Sequence, residues 1–138
     1  MQITQEQAAQ SEPAAAGGAC FDRSWTDAQV MQEVERIAQG PLARAAYSID
    51  QEHLYPKALM GELGRAGAFA AALDAGGRRF ALGLDAMRAI SRSCGATGFL
   101  TWAHDVCGMY LEQSGNPALT GRRLQDHMLG RTFGGTAL

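Results

Sequence analysis

Ala96-Thr97-Gly98-Phe99-Leu100-Thr101-Trp102-Ala103-His104-Asp105-Val106-Cys107-Gly108-Met109-Tyr110-Leu111-Glu112-Gln113-Ser114 is the stretch on which the fold turns. Between Ala96 and Leu111 the one charged residue is Asp105. Phe99, Leu100, Ala103, Val106, Cys107, Tyr110 and Leu111 cover more than one face of a helical wheel. A helix apolar nearly all round belongs inside a bundle. At 1.5 Å per residue it spans about 28 Å, the width of a small domain.

The flanking sequence also reads as helices. Downstream, Gly115 stops the long helix, and Asn116-Pro117 forms an N-cap and N1 pair for a last helix, about Pro117 to Leu129. Its Arg122, Arg123, Gln125 and Asp126 face water, and Gly130 ends it. Upstream, Phe80, Leu84, Met87 and Ile90 mark a helix from about Arg78 to Cys94, with Gly95 as terminator. Before it, Pro56 opens a helix whose Leu59, Met60, Leu63 and Ala66 share a face, ended by Gly67. The first helix starts at a Thr26/Gln29 capping box and carries Val30, Val34, Ile37 and Ala38 inward. Gly40-Pro41 is expected to end it, leaving a connector over 42–55 with a short helix around Leu42 to Ala46. Residues 1–23 read as a leader, and the segment Phe69 to Gly77 reads as small and flexible, closing with Gly76-Gly77. The expected fold is all-α, an up-and-down bundle of four to six helices. Thr132-Phe133-Gly134-Gly135-Thr136-Ala137-Leu138 is strand-like, a short strand stub with no second strand to pair with.

Length and composition narrow the classes. At 138 residues there is room for one domain. Hydrophobic residues make up 46% and charged residues 19%, as in a packed globule. Twelve basic against fourteen acidic residues give a net charge of −2, which leaves no cationic footprint for nucleic acid. No apolar run reaches the ~20 residues of a membrane span, and residues 1–10 lack a signal-peptide pattern. Ala19-Cys20 has no apolar segment before it and is not read as a lipoprotein site. Three cysteines, Cys20, Cys94 and Cys107, suggest no disulfide framework, so a reducing cytoplasm is expected.

The chemistry-bearing residues form no complete catalytic constellation. Cys94, His104 and Cys107 fit no common zinc spacing, and no metal site is assigned. His104 and Asp105 are adjacent on a helix and diverge by about 100°, so they do not make an acid/base pair. A histidine there is expected to be a hydrogen-bonded core residue, or one lining a cavity or subunit contact. Gly61, Gly64 and Gly67 lie within a helical pattern, where close packing and a helix stop explain them better than a phosphate loop. Ser24, Ser91 and Ser114 lack the setting of a nucleophile elbow.

Several weak motifs in order carry a resemblance. Tyr55-Pro56…Glu62-Leu63-Gly64…Gly67, Ser93-Cys94-Gly95-Ala96-Thr97-Gly98, then Gly115-Asn116-Pro117, Leu124 and Gly130 resemble the N-terminal helical domain of the acyl-CoA dehydrogenase superfamily, from about Trp25 to Leu138. The resemblance implies a helical domain over 24–131, with 132–138 opening a β-domain otherwise missing from the chain. It implies a flavin-dependent α,β-dehydrogenation of an acyl-CoA or acyl-carrier-protein thioester in a complete enzyme, with FAD as cofactor. The catalytic base of that family belongs to a later domain, so no catalytic residue is assigned and the chain alone is expected to be inactive. By resemblance, Leu100, Thr101, His104 and Gly108 form one wall of the acyl pocket, and Thr136, Ala137 and Leu138 touch the cofactor. Trp102 and His104 are bulkier than a long straight acyl tail favours. Relatives of this fold also act as oxidases and monooxygenases, which leaves the reaction subtype open. The implied partners are the missing β- and C-terminal domains, or a separate subunit carrying them, and further copies in a homo-oligomer. A helical interaction module without flavin chemistry is the alternative.

Overall fold

Thr26 starts the ordered helices: its hydroxyl accepts from the backbone N–H of Gln29, and the Gln29 side chain accepts from the Thr26 N–H at 2.8 Å. That reciprocal cap is the one the sequence specifies. In the computed structural model, which describes residues 24–73 and 79–135, it opens α1 (Asp27–Ile37). Val30, Val34 and Ile37 are buried along one stripe of α1.

The chain does not leave the helix at Gly40-Pro41. A π-helical turn, Ala38–Leu42, carries Pro41 inside it and runs straight into α2 (Ala43–Gln51). Proline lacks an N–H and crowds the carbonyl four residues back; a widened turn relieves both. Ala38 and Leu42 are fully buried, so packing holds the turn that local preference would break. The expected connector is therefore helical as far as Gln51.

Next comes α3 (Lys57–Arg65), with Pro56 at its start and Gly67 at φ +90° just past its end. A short 3-10 turn follows at Ala70–Ala72; of the segment expected to be small and flexible, Phe69 to Leu73 are instead buried, with Phe69 in the main core. Then come α4 (Phe80–Ser93) and α5 (Gly95–Gln113), separated by one residue, Cys94, in an extended conformation. The last expected helix is two: α6 (Pro117–Thr120), capped by the Asn116 side chain, and α7 (Arg122–Met128), with Gly121 between them outside helical geometry. No strand occurs among the described residues. Of the expected strand stub, 136–138 lie outside them, as do the leader, Cys20 and the Gly76-Gly77 pair.

α5 is the central strut. It packs against α4, α7, α6 and α2, while α4 also packs against α1, and α1 against α3. The core joins Val30, Val34 and Ile37 to Leu42, Met60, Leu63, Phe69, Leu82, Ala86 and Ile90. Each large side chain buried there contributes roughly 1.5–3 kcal/mol. A smaller cluster of Ala70, Leu73 and Met128 lies under α7.

Two expectations about faces are corrected. On α4 the inward residues are Leu82, Gly83, Ala86 and Ile90; Phe80 and Leu84 are exposed. The inward stripe is chosen for smallness, since Gly83 abuts Ala72. On α5 the buried stripe is Thr97, Gly98, Thr101, His104, Asp105 and Gly108, which is small and polar. Phe99 and Tyr110 instead face out.

Candidate functional site

The middle of α5 sits between two hollows on opposite sides of the helix. The first, 280 Å³, is lined by Tyr55, Met60, Leu100, Ala103, His104, Phe133, Gly134 and Gly135. The second, 180 Å³, lies between α4 and α5 and contains Asp105 among Phe80, Leu84, Met87, Trp102, Val106 and Met109. His104 and Asp105, adjacent in sequence, thus serve different surfaces, as the 100° step of a helix requires.

His104 reaches the first hollow because α7 returns to α5. The ring of His127, from the last turn of α7, stacks on His104 at 3.6 Å between centroids, 16° from parallel. His104 Nε2–H donates to the His127 carbonyl at 3.0 Å, and His127 Nε2–H donates to the His104 carbonyl at 2.8 Å. Both rings therefore carry their proton on Nε2, leaving each Nδ1 unprotonated. The Gly134 N–H approaches His104 Nδ1 at 3.5 Å. Burial, and then the facing His127 ring, lower the His104 pKa to about 4. Burial also lowers that of His127. The two rings are neutral at pH 7, as buried stacked imidazoles must be.

Glycine makes this approach possible. A Cβ at Gly108 would stand 2.7 Å from Leu73 Cδ1 and 3.2 Å from the His127 ring. At Gly64 a Cβ would meet the Gly130 nitrogen at 2.5 Å, where the chain turns at φ +64° after α7. Close packing and a helix stop are thus the roles of this glycine series, and no phosphate loop forms there.

The four residues expected along the acyl wall are split. Leu100 and His104 line the 280 Å³ hollow. Thr101 is buried, donating to the Thr97 carbonyl at 2.9 Å, and Gly108 is sealed beneath Leu73 and His127. Neither Thr101 nor Gly108 lines that hollow. Tyr55 and Phe133 complete its rim, and His127 backs the His104 ring from behind. Tyr55 and Phe133 meet edge-on at 6.3 Å, and Phe133 lies 5.7 Å from His104. The sequence signal for Phe133 was its place in the strand-like tail; nothing local ties His127 to His104. Trp102 lies in the other hollow, away from the expected wall.

Asp105 is 6% exposed, and its Oδ1 has no hydrogen-bond partner. Burial pushes its pKa up to about 8. A larger concavity, 450 Å³, lies where α2 meets the start of α5 and is faced by Asp50, Ser93 and Cys94. Cys94 accepts from the Thr97 hydroxyl at 3.3 Å, and both Cys94 and Cys107 are free. Among the described residues no three His, Cys, Asp or Glu side chains gather as a metal site, and no helix is long and apolar enough to cross a membrane.

These three hollows do not fit a flavin's diphosphate. None of the three hollows has a lysine or arginine in its lining to meet a diphosphate, and the largest presents the Asp50 carboxylate instead. Thr136, Ala137 and Leu138, the expected cofactor contacts, lie outside the described residues.

Residues 24–131 match the family model for the acyl-CoA dehydrogenase N-terminal domain. No curated protein and no solved structure matches the chain. The match covers most of the chain, over the residues that build the bundle, and the chain belongs to the acyl-CoA dehydrogenase family through its N-terminal domain.

Proposed function

We propose that this chain is the N-terminal helical domain of a flavin-dependent acyl-CoA dehydrogenase-like oxidoreductase and supplies one wall of its acyl pocket. The supporting observation is the position of the 280 Å³ hollow. Leu100 and His104 line it, and it opens beside Gly134 and Gly135, where the chain leaves the helical domain toward Thr136. That position supports the reading, because the segment to which the resemblance assigns the flavin's edge follows directly in the chain. Leu100, Met60 and Phe133 exclude water from an acyl group, and His104 closes the floor as a neutral ring. No group on this wall is poised to remove a proton from a substrate, since each His104 nitrogen already has a neighbour. The flavin and the base then come from the rest of the enzyme, in this polypeptide or in a partner subunit. Thr136, Ala137 and Leu138 remain this chain's proposed edge of the cofactor site. The free thiols of Cys94 and Cys107 suit a reducing cytoplasm. The apolar α4/α5 face supports contact with further domains or copies.

Two measurements test this reading. Amide resonances of Leu100, Ala103 and His104 should shift when an acyl-CoA is added and not with free CoA. The chain supplied with FAD, an acyl-CoA and an artificial electron acceptor should give no turnover. Flavin bleaching by the chain alone, or shifts indifferent to the acyl group, overturns the reading.

A further inference from the structure

Resting on the acyl-wall reading, we propose that the 280 Å³ hollow selects a compact aromatic acyl group, of the benzoyl or phenylacetyl kind, over a long straight chain. The first argument is depth. Leu100 and His104 are one helical turn apart, about 6 Å along α5. A tail following that stripe would next reach Gly108. There Leu73 and the His127 ring already stand within 2.7 and 3.2 Å of where a Cβ would be. The floor is the His104 ring, backed by the His127 ring at 3.6 Å and pinned by reciprocal hydrogen bonds of 3.0 and 2.8 Å, so no slot exists for a chain to thread between them. The stop is therefore at His104.

The second argument is breadth and lining. An apolar cavity of about 150 Å³ takes a benzene ring. This hollow of 280 Å³ takes a ring with a short linker. Its walls offer three rings to such a group: Tyr55 edge-on to Phe133, and His104 tilted 52° to Phe133 at 5.7 Å. Offset and edge-to-face contacts of this kind add about 0.5–1.5 kcal/mol per pair beyond burial. Both His104 nitrogens have neighbours, so the floor presents the acyl group with a neutral ring already engaged.

The test uses phenylacetyl- and octanoyl-pantetheine thioesters titrated into the chain, read from the amide shifts of Leu100, Ala103, His104 and Gly134. The phenylacetyl thioester should saturate those shifts at roughly tenfold lower concentration, the worth of one aromatic contact. Phe133→Ala should weaken both thioesters by the apolar contact it removes and cut the preference between them to about twofold. Equal binding of the two thioesters at these residues overturns the aromatic assignment and leaves the acyl wall standing. Shifts with neither thioester overturn both. A full preference retained in Phe133→Ala also overturns the assignment, because the rings would not be the selector.

Discussion

His104 and His127 lie 23 residues apart in sequence, yet each donates its Nε2 proton to the other's backbone carbonyl while the two rings stack. This double clamp fastens the end of α7 to the middle of α5. It also fixes both imidazoles as neutral, because a proton added to either would sit buried against the other ring.

The clamp gives the fold an acid limit. In the unfolded chain both histidines titrate near 6.5; folded, His104 titrates at about 4 and His127 below its ordinary value. Between those pH values the unfolded state binds more protons, so stability falls as pH drops. The contribution is fully present above about pH 6.5 and is lost on the way to pH 4. Urea denaturation at steps from pH 7 to pH 4 should show a falling midpoint across that window. His127→Gln should flatten the slope at the cost of lower stability at pH 7.

Asp105 works in the opposite direction. Its pKa is raised to about 8, so between about 3.8 and 8 the folded state holds a proton that the unfolded state has lost. Its contribution is greatest below pH 3.8 and declines until pH passes 8. Removing a buried polar atom without a partner recovers its desolvation cost, and an apolar replacement of similar volume is often neutral or stabilising. Asp105→Leu should therefore raise stability by about 1–2 kcal/mol at pH 8 and by less at pH 5. Denaturant curves at the two pH values check both the sign and the difference.

Glycine substitutions should separate packing from backbone preference. Gly64→Ala puts a methyl 2.5 Å from the Gly130 nitrogen, and backbone cannot yield as a side chain can. Gly108→Ala meets the Leu73 side chain at 2.7 Å, which can give way in part. Overpacking of this kind costs about 1–3 kcal/mol, with Gly64→Ala at the upper end or beyond. Gly95→Ala meets nothing within 4 Å at the first residue of α5. It should stabilise by about 0.4–1 kcal/mol by restricting the unfolded chain. Thermal melts of the three variants should rank in that order.

The fold was legible where local and tertiary demands agreed. Thr26 and Gln29 cap α1, and Val30, Val34 and Ile37 mark its inner face without competition. On α4 the sequence offers two stripes that share Ile90, the expected Phe80-Leu84-Met87-Ile90 and Leu82-Ala86-Ile90, and side-chain size favours the first. The bundle takes the smaller one, because α4 must approach Ala72 closely at Gly83. At Pro41 burial of Ala38 and Leu42 outweighs a local breaker. The site was half legible for a related reason. The resemblance names Leu100, Thr101, His104 and Gly108 as one stripe of α5; Leu100 and His104 line the hollow, while neighbours bury Thr101 and Gly108. Tyr55 and Phe133 reach the hollow, and His127 backs His104, only once α7 and the chain ahead of α3 close around α5, and no local pattern encodes that closure.

The discarded α4 stripe sets up the last prediction. Leu84 is 64% exposed and Phe99 65%, with Phe80, Trp102 and Tyr110 also open on the α4/α5 side. An apolar face of this size on an isolated domain favours association with whatever apolar surface is at hand. In the chain alone that surface is another copy, so sedimentation velocity should show a weight-average mass rising with concentration. Leu84→Glu places a charge on the stripe without touching the core residues Leu82, Ala86 and Ile90. It should bring the chain to a concentration-independent monomer while changing unfolding stability by no more than about 0.5 kcal/mol, the usual range for surface positions. A wild-type chain that stays monomeric across the range counts against this face as a surface for association.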